Sequence, residues 1–198
     1  EVAEEGAQFT SIRVTASTQI FNDPAKPGQV VPLRVGEQHP AITVTLPDGS
    51  TTTIGAGQGK RTALTYIYTS CPLREFCPAI MERLQELQPL VADSDARILA
   101  VTIDPTNDTL KVLSEYGKVY KADGKTLNLA RSTADDLTTL TTLAGMTLRS
   151  QNNQIVHKKR LLVLSETGHL MDRYDDTYWP AQRVAQQLKE GQPLGSTG

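Results

Sequence analysis

Long apolar runs are missing from this chain. No stretch of roughly 18 or more apolar residues occurs, so no helix of this composition crosses a membrane. A basic excess is missing as well. Twenty Lys and Arg against 22 Asp and Glu leave a formal charge of −2. Basic residues cluster only at Lys60-Arg61 and Lys158-Lys159-Arg160, which argues against a nucleic-acid binder. With two cysteines there is no disulfide framework, and either redox compartment is compatible with the chain. No secretory leader opens the sequence. Glu1-Val-Ala-Glu-Glu5 reads as a trimmed boundary, which leaves room for an upstream anchor or export signal.

What is present suffices for one domain with a full core, since the chain has 198 residues and is 38% apolar. Residues 1–40 are polar and punctuated by Asp23-Pro24, Lys26-Pro27-Gly28 and His39-Pro40. They predict an extension packed on the main domain, with short strands at 9–15 and 29–35. The domain itself is expected over 41–192, followed by a tail at 193–198. Residues 42–46 and 51–54 flank Pro47-Asp48-Gly49-Ser50 and predict a hairpin, because proline presets φ and glycine tolerates the left-handed region.

Buried strands are expected at 63–69 and 97–103, with a third at 125–130. Ile80, Leu84, Leu87 and Val91 fall at helical spacing and predict a helix over 78–91, with Pro89 able to kink or shorten it. A second helix starts at Asp108 or Thr109. Gly117 weakens it by about 1 kcal/mol relative to alanine. Thr133-Ala-Asp-Asp136 is a capping-box start for a third. Residues 161–165 and 169–174 form a hairpin around Glu166-Thr-Gly168, and Ala181, Val184 and Leu188 mark a closing helix. Strands alternating with helices imply an α/β fold with a mainly parallel sheet, covered on both faces and extended by an antiparallel pair. That order suits a thioredoxin-like fold.

Both cysteines sit in one segment, Cys71-Pro-Leu-Arg-Glu-Phe-Cys77-Pro78, between a buried strand and a helix. Three chemistries fit: a structural disulfide closing a small loop, a redox pair, or a soft-metal site. Thiols at a helix N-terminus are acidified by the unpaired amides there, and the thiolate is both nucleophile and ligand. In open α/β sheets, ligands gather beyond the carboxyl ends of the strands. Cys71 and Asp104-Pro105 fall at such ends. In the expected fold His157, just before the hairpin, lies across from them. His39 and His169 read as ordinary structural histidines, and Trp179 as a hydrophobic anchor for the last helix.

The ordered set Tyr68-Thr-Ser-Cys71-Pro72 with Cys77-Pro78, then Thr102-Ile-Asp104-Pro105-Thr-Asn-Asp108-Thr109, then Ile155-Val-His157 before the hairpin resembles the Sco/SenC family of copper chaperones over roughly residues 40–190. The resemblance implies that Cys71, Cys77 and His157 are copper ligands and that Asp104 stands beside the site. Two sulfurs and one nitrogen suit Cu(I) and tolerate Cu(II). Zinc normally takes four protein ligands, so Asp104 or water would have to complete its shell. Met81 offers a weak axial sulfur, although methionine at helical spacing more often fills a core.

The chain departs from the family pattern at three places. Five residues, not three, separate the cysteines. Val156 replaces an aspartate before the histidine, with Lys158 and Lys159 after it. Asn107 replaces an arginine. The site is therefore expected to be more positive, which favours thiolate or an anionic partner surface. Unchanged thiol pKa values in a Lys158→Ala/Lys159→Ala variant would refute this.

By resemblance, the expected function is a metallochaperone. It would take copper from a donor protein and pass it to the dinuclear copper centre of a terminal cytochrome c oxidase. The expected location is the periplasm or the extracytoplasmic face of the membrane, with an N-terminal tether. A second reading makes Cys71 and Cys77 the redox pair of a thiol–disulfide oxidoreductase, against which the absence of Cys-x-x-Cys counts. A third is a peroxiredoxin-like peroxidase drawing on Thr69 and Arg74.

Overall fold

The computed structural model describes residues 30–151 and 154–191. The strand expected at 9–15 and the tail at 193–198 lie outside these residues. A hairpin comes first, β1 (Ile42–Thr45) pairing antiparallel with β2 (Thr51–Ile54). The main run is β3 (Thr62–Ile67), α1 (Cys77–Val91), β4 (Arg97–Thr102), α2 (Leu110–Val119), β5 (Leu127–Ala130) and α3 (Ala134–Leu143). A small hairpin follows, β6 (Arg149–Gln151) with β7 (Gln154–Val156), and then β8 (Leu161–Leu164), β9 (Leu170–Tyr174) and α4 (Ala181–Glu190).

The central sheet has the order β5-β4-β3-β8-β9. β3, β4 and β5 run parallel, while β8 and β9 are antiparallel. This is the expected thioredoxin-like arrangement. All six residues of β3 and all six of β4 are buried, as a central parallel pair covered on both faces requires. α1 packs against α4, and α2 lies on β5. Gly117 has a packing reason: a Cβ there would stand 3.2 Å from Leu129 Cδ1, so glycine lets α2 approach β5.

α1 buries Ile80, Met81, Leu84, Leu87 and Val91. Fully burying such side chains stabilises by roughly 1.5–3 kcal/mol each, and the helix runs through Pro89 to Val91. Met81 is fully buried, which makes it core filling. Trp179 is buried with the Arg83 guanidinium 5.2 Å from its ring centre, as expected of an anchor.

Two expectations change. Residues 30–35 form no strand. Pro32 has no N–H to give a ladder, and Leu33 N–H instead donates to Leu143 O at 2.9 Å. Among residues 30–40 the sheet-like contact is one bridge, Gln38 to His169. The β6–β7 hairpin was not anticipated, because three-residue strands carry too short a pattern to register.

Candidate metal and thiol site

β3 ends beside β4, with Ile67 paired to Thr102. Cys71 lies four residues beyond Ile67, and Cys77 opens α1. β8 begins at Leu161, opposite Thr65, which brings the preceding His157 to the same end of the sheet. The fold therefore gathers the cysteine segment, the β4–α2 connection and His157 at one edge.

Both thiols are free; Cys77 is buried and Cys71 partly exposed. Cys77 Sγ stands 3.8 Å from His157 Nε2 and accepts from Tyr68 N–H at 3.4 Å. His157 Nδ1 lies 2.9 Å from Lys158 O. A carbonyl only accepts, so Nδ1 carries the hydrogen and Nε2 turns its lone pair toward the sulfur. The rings of Tyr68 and Phe76 meet the imidazole edge-on at 6.1 and 6.3 Å. Burial holds the His157 pKa below its ordinary value, which keeps the ring neutral and able to ligate.

The two thiols differ sharply. Cys71 is lowered to about 5, first by the hydrogen bond it accepts from the Cys77 thiol, against a desolvation cost, and further by the Cys77 amide, Leu73 and the Tyr68 hydroxyl. Cys77 is pushed up by the bond it gives to Cys71 and by burial. Tyr68 itself is raised to about 12, chiefly by desolvation and then by its bond to Cys71. The acidic thiol is thus the loop cysteine, chiefly through the Cys77 side chain, and not the cysteine that opens the helix.

Asp104 does not reach the sulfurs through any hydrogen bond. Its carboxylate accepts from the Asn107 side chain at 2.8 Å, closing its own turn. The carboxylate engaged with the cysteine segment is Asp108. It is fully buried and accepts from Thr69 N–H at 3.1 Å, from the Thr69 hydroxyl and from the Thr102 hydroxyl. A sequence signal existed: Thr109 caps α2, so the acid before it is free to turn inward. Lys159 also contributes. Its Nζ lies 4.8 Å from the Phe76 ring centre and 3.2 Å from Glu75 O, which ties the histidine segment to the cysteine loop. Arg160, by contrast, is buried and paired with Asp175.

Among the described residues, no three or more His, Cys, Asp and Glu side chains are drawn together as a metal cage. The Cys77–His157 pair is nevertheless spaced as two ligands of one ion. Bonds of about 2.3 Å to sulfur and 2.1 Å to nitrogen place such ligands about 3.5–4 Å apart. Cys71 stands six residues before Cys77, at the start of the same segment.

The model of the SCO1/SenC family matches residues 40–191. The chain belongs to the SCO1/SenC family. Solved structures share its fold. A SCO1/SenC family lipoprotein from Bacillus anthracis is 18% identical, with a TM-score of 0.70 over 80% of this chain and 98% of that one. BsSco, a member of the Sco family of cytochrome c oxidase assembly proteins, is 17% identical, with a TM-score of 0.69 over 84% and 100%. Arabidopsis thaliana ScoI with copper bound is 17% identical, with a TM-score of 0.61 over 77% and 94%. No curated protein sequence matches this chain. No helix among the described residues of this SCO1/SenC protein is long and apolar enough to cross a membrane.

Proposed function

We propose that this SCO1/SenC protein carries copper to the dinuclear centre of a terminal cytochrome c oxidase. Cys71 and Cys77 supply thiolates and His157 supplies Nε2. The observation that carries the reading is the directed lone pair of His157, its tautomer held by Lys158 O, 3.8 Å from Cys77 Sγ. Cys71 is a thiolate at neutral pH and offers copper a ready anionic donor. Cys77 gives up its proton on binding, as a coordinating thiol does. Copper in the Arabidopsis relative supports the cargo, the naming of BsSco as an oxidase assembly protein supports the recipient, and the Bacillus anthracis lipoprotein supports tethering on the extracytoplasmic face of the membrane. Asp104 acts only by shaping the β4–α2 turn.

The test is titration of the reduced protein with Cu(I) and Cu(II), following sulfur-to-copper charge transfer. His157→Ala is expected to weaken copper binding at least tenfold while leaving thiol exchange intact. Wild-type affinity in that variant would refute the ligand set.

The acid thiolate of Cys71 beside the protonated Cys77 favours a second role, reduction of a partner disulfide. Cys71 attacks one partner sulfur and releases the other as thiolate. Cys77 then attacks Cys71, releasing the second partner thiolate, and its proton passes to a leaving sulfur. The partner gains two electrons and the protein ends as the Cys71–Cys77 disulfide. The peroxidase alternative is less supported, since the Thr69 hydroxyl is committed to Asp108.

A further inference from the structure

Whatever exchanges copper or electrons with Cys71 must press against the surface around it. Two large apolar side chains stand out there. Leu73, two residues along the loop, is 41% exposed, and Val156, next to His157, is 44% exposed. Three cations flank them. Arg74 and Lys158 are exposed, and Lys159 is fixed between the two segments by the Phe76 ring and Glu75 O. None of the three takes part in an ion pair among the described residues. Glu75 is the opposing charge on the loop. Asp104 on the β4–α2 turn and the Cys71 thiolate lie at the same edge, so the three cations form a rim around a negative centre rather than a uniformly positive face, on a chain that is formally −2.

We propose that Leu73 and Val156, with the cations of Arg74, Lys158 and Lys159, form a docking collar for an acidic protein surface bearing an apolar residue at its centre. The proposal rests on the delivery reading above and names the chemistry of the recipient's face. An apolar centre inside a charged rim is the ordinary layout of a transient protein interface. Unneutralised rim charge steers an oppositely charged partner, and that steering fades as salt shortens the Debye length. The collar brings an acidic partner's own ligands onto Cys71 and repels basic surfaces.

The test is an amide chemical-shift titration of the reduced, nitrogen-15-labelled protein. One probe is a twelve-residue peptide of Glu and Asp around Leu-Ser-Leu. The other replaces each acid with lysine. Neither carries a thiol or copper, so the result stands apart from whether His157→Ala loses copper. Expected are saturable shifts at residues 71–76 and 155–159 with the acidic peptide, at a concentration about tenfold lower than for the basic one. Salt of about 0.5 M should abolish the difference, and Arg74→Glu/Lys158→Glu should reverse it. Equal responses to both peptides, shifts elsewhere, or a preference surviving the double variant would overturn the collar. Shifts at those amides with anionic lipid vesicles and not with the acidic peptide would overturn it too, and would assign the surface to a membrane.

Discussion

Asp108 holds Thr69 twice, at its amide and at its hydroxyl, and takes a third hydrogen bond from Thr102. The start of the cysteine segment is thereby bound to the turn before α2. Asp108→Ala would leave the buried Thr102 hydroxyl without this partner, at about 1–3 kcal/mol, and would free the Thr69 amide and hydroxyl, which are partly exposed and can turn to water at a smaller cost. The expected loss is about 2–4 kcal/mol in urea unfolding. Asp104→Ala, which frees only an exposed turn, should stay within about 1 kcal/mol. Equal effects of the two substitutions would contradict the assignment of Asp108.

Cys71 should react as a thiolate across the neutral range. Because the hydrogen bond from Cys77 lowers its pKa to about 5, its alkylation rate should reach half its maximum near pH 5 and stay level above that. Cys77, raised and buried, should react far more slowly at pH 7. Cys77→Ala removes the donor and should move the Cys71 midpoint to higher pH. Mass spectrometry of each modified cysteine after timed alkylation distinguishes the two.

His39 should make the protein acid-sensitive. It is completely buried. Its Nδ1 donates to Pro40 O at 2.6 Å, and Nε2 has no partner among the described residues. Burial lowers its pKa. The unfolded chain therefore takes up a proton below about pH 6.5 that the folded chain resists. The contribution is complete above that pH and is lost as the pH falls. His157, also lowered by burial, acts in the same direction. His39→Asn, which keeps a donor for Pro40 O, should flatten the slope of stability between pH 7 and 5. An unchanged slope would refute the role.

Element types were largely legible because they follow from local patterns. The helical spacing of Ile80, Leu84, Leu87 and Val91 identified α1, and the apolar runs identified β3, β4 and β8. The Thr133 cap was visible for the same reason, since Thr133 and Asp136 are three residues apart and bond each other. What escaped depends on distance in space. Asp104 and Asp108 are indistinguishable as carboxylates in one short segment, yet one closes a surface turn and the other is buried against Thr69. The basic cluster likewise divides: Arg160 goes into the core to meet Asp175, while Lys158 stays exposed.

By itself, the sequence determined the inventory of candidate donors and its order: one thiol pair before a helix, one histidine before the last hairpin, and strands patterned for a covered sheet. Periodicity and spacing act over a few residues, and such features need no partner to be read. Only the tertiary structure decided which thiol is acidic, which nitrogen of His157 faces sulfur, and which carboxylate holds the loop. Each of those depends on burial and on contacts between residues as many as 80 positions apart, which no local pattern encodes.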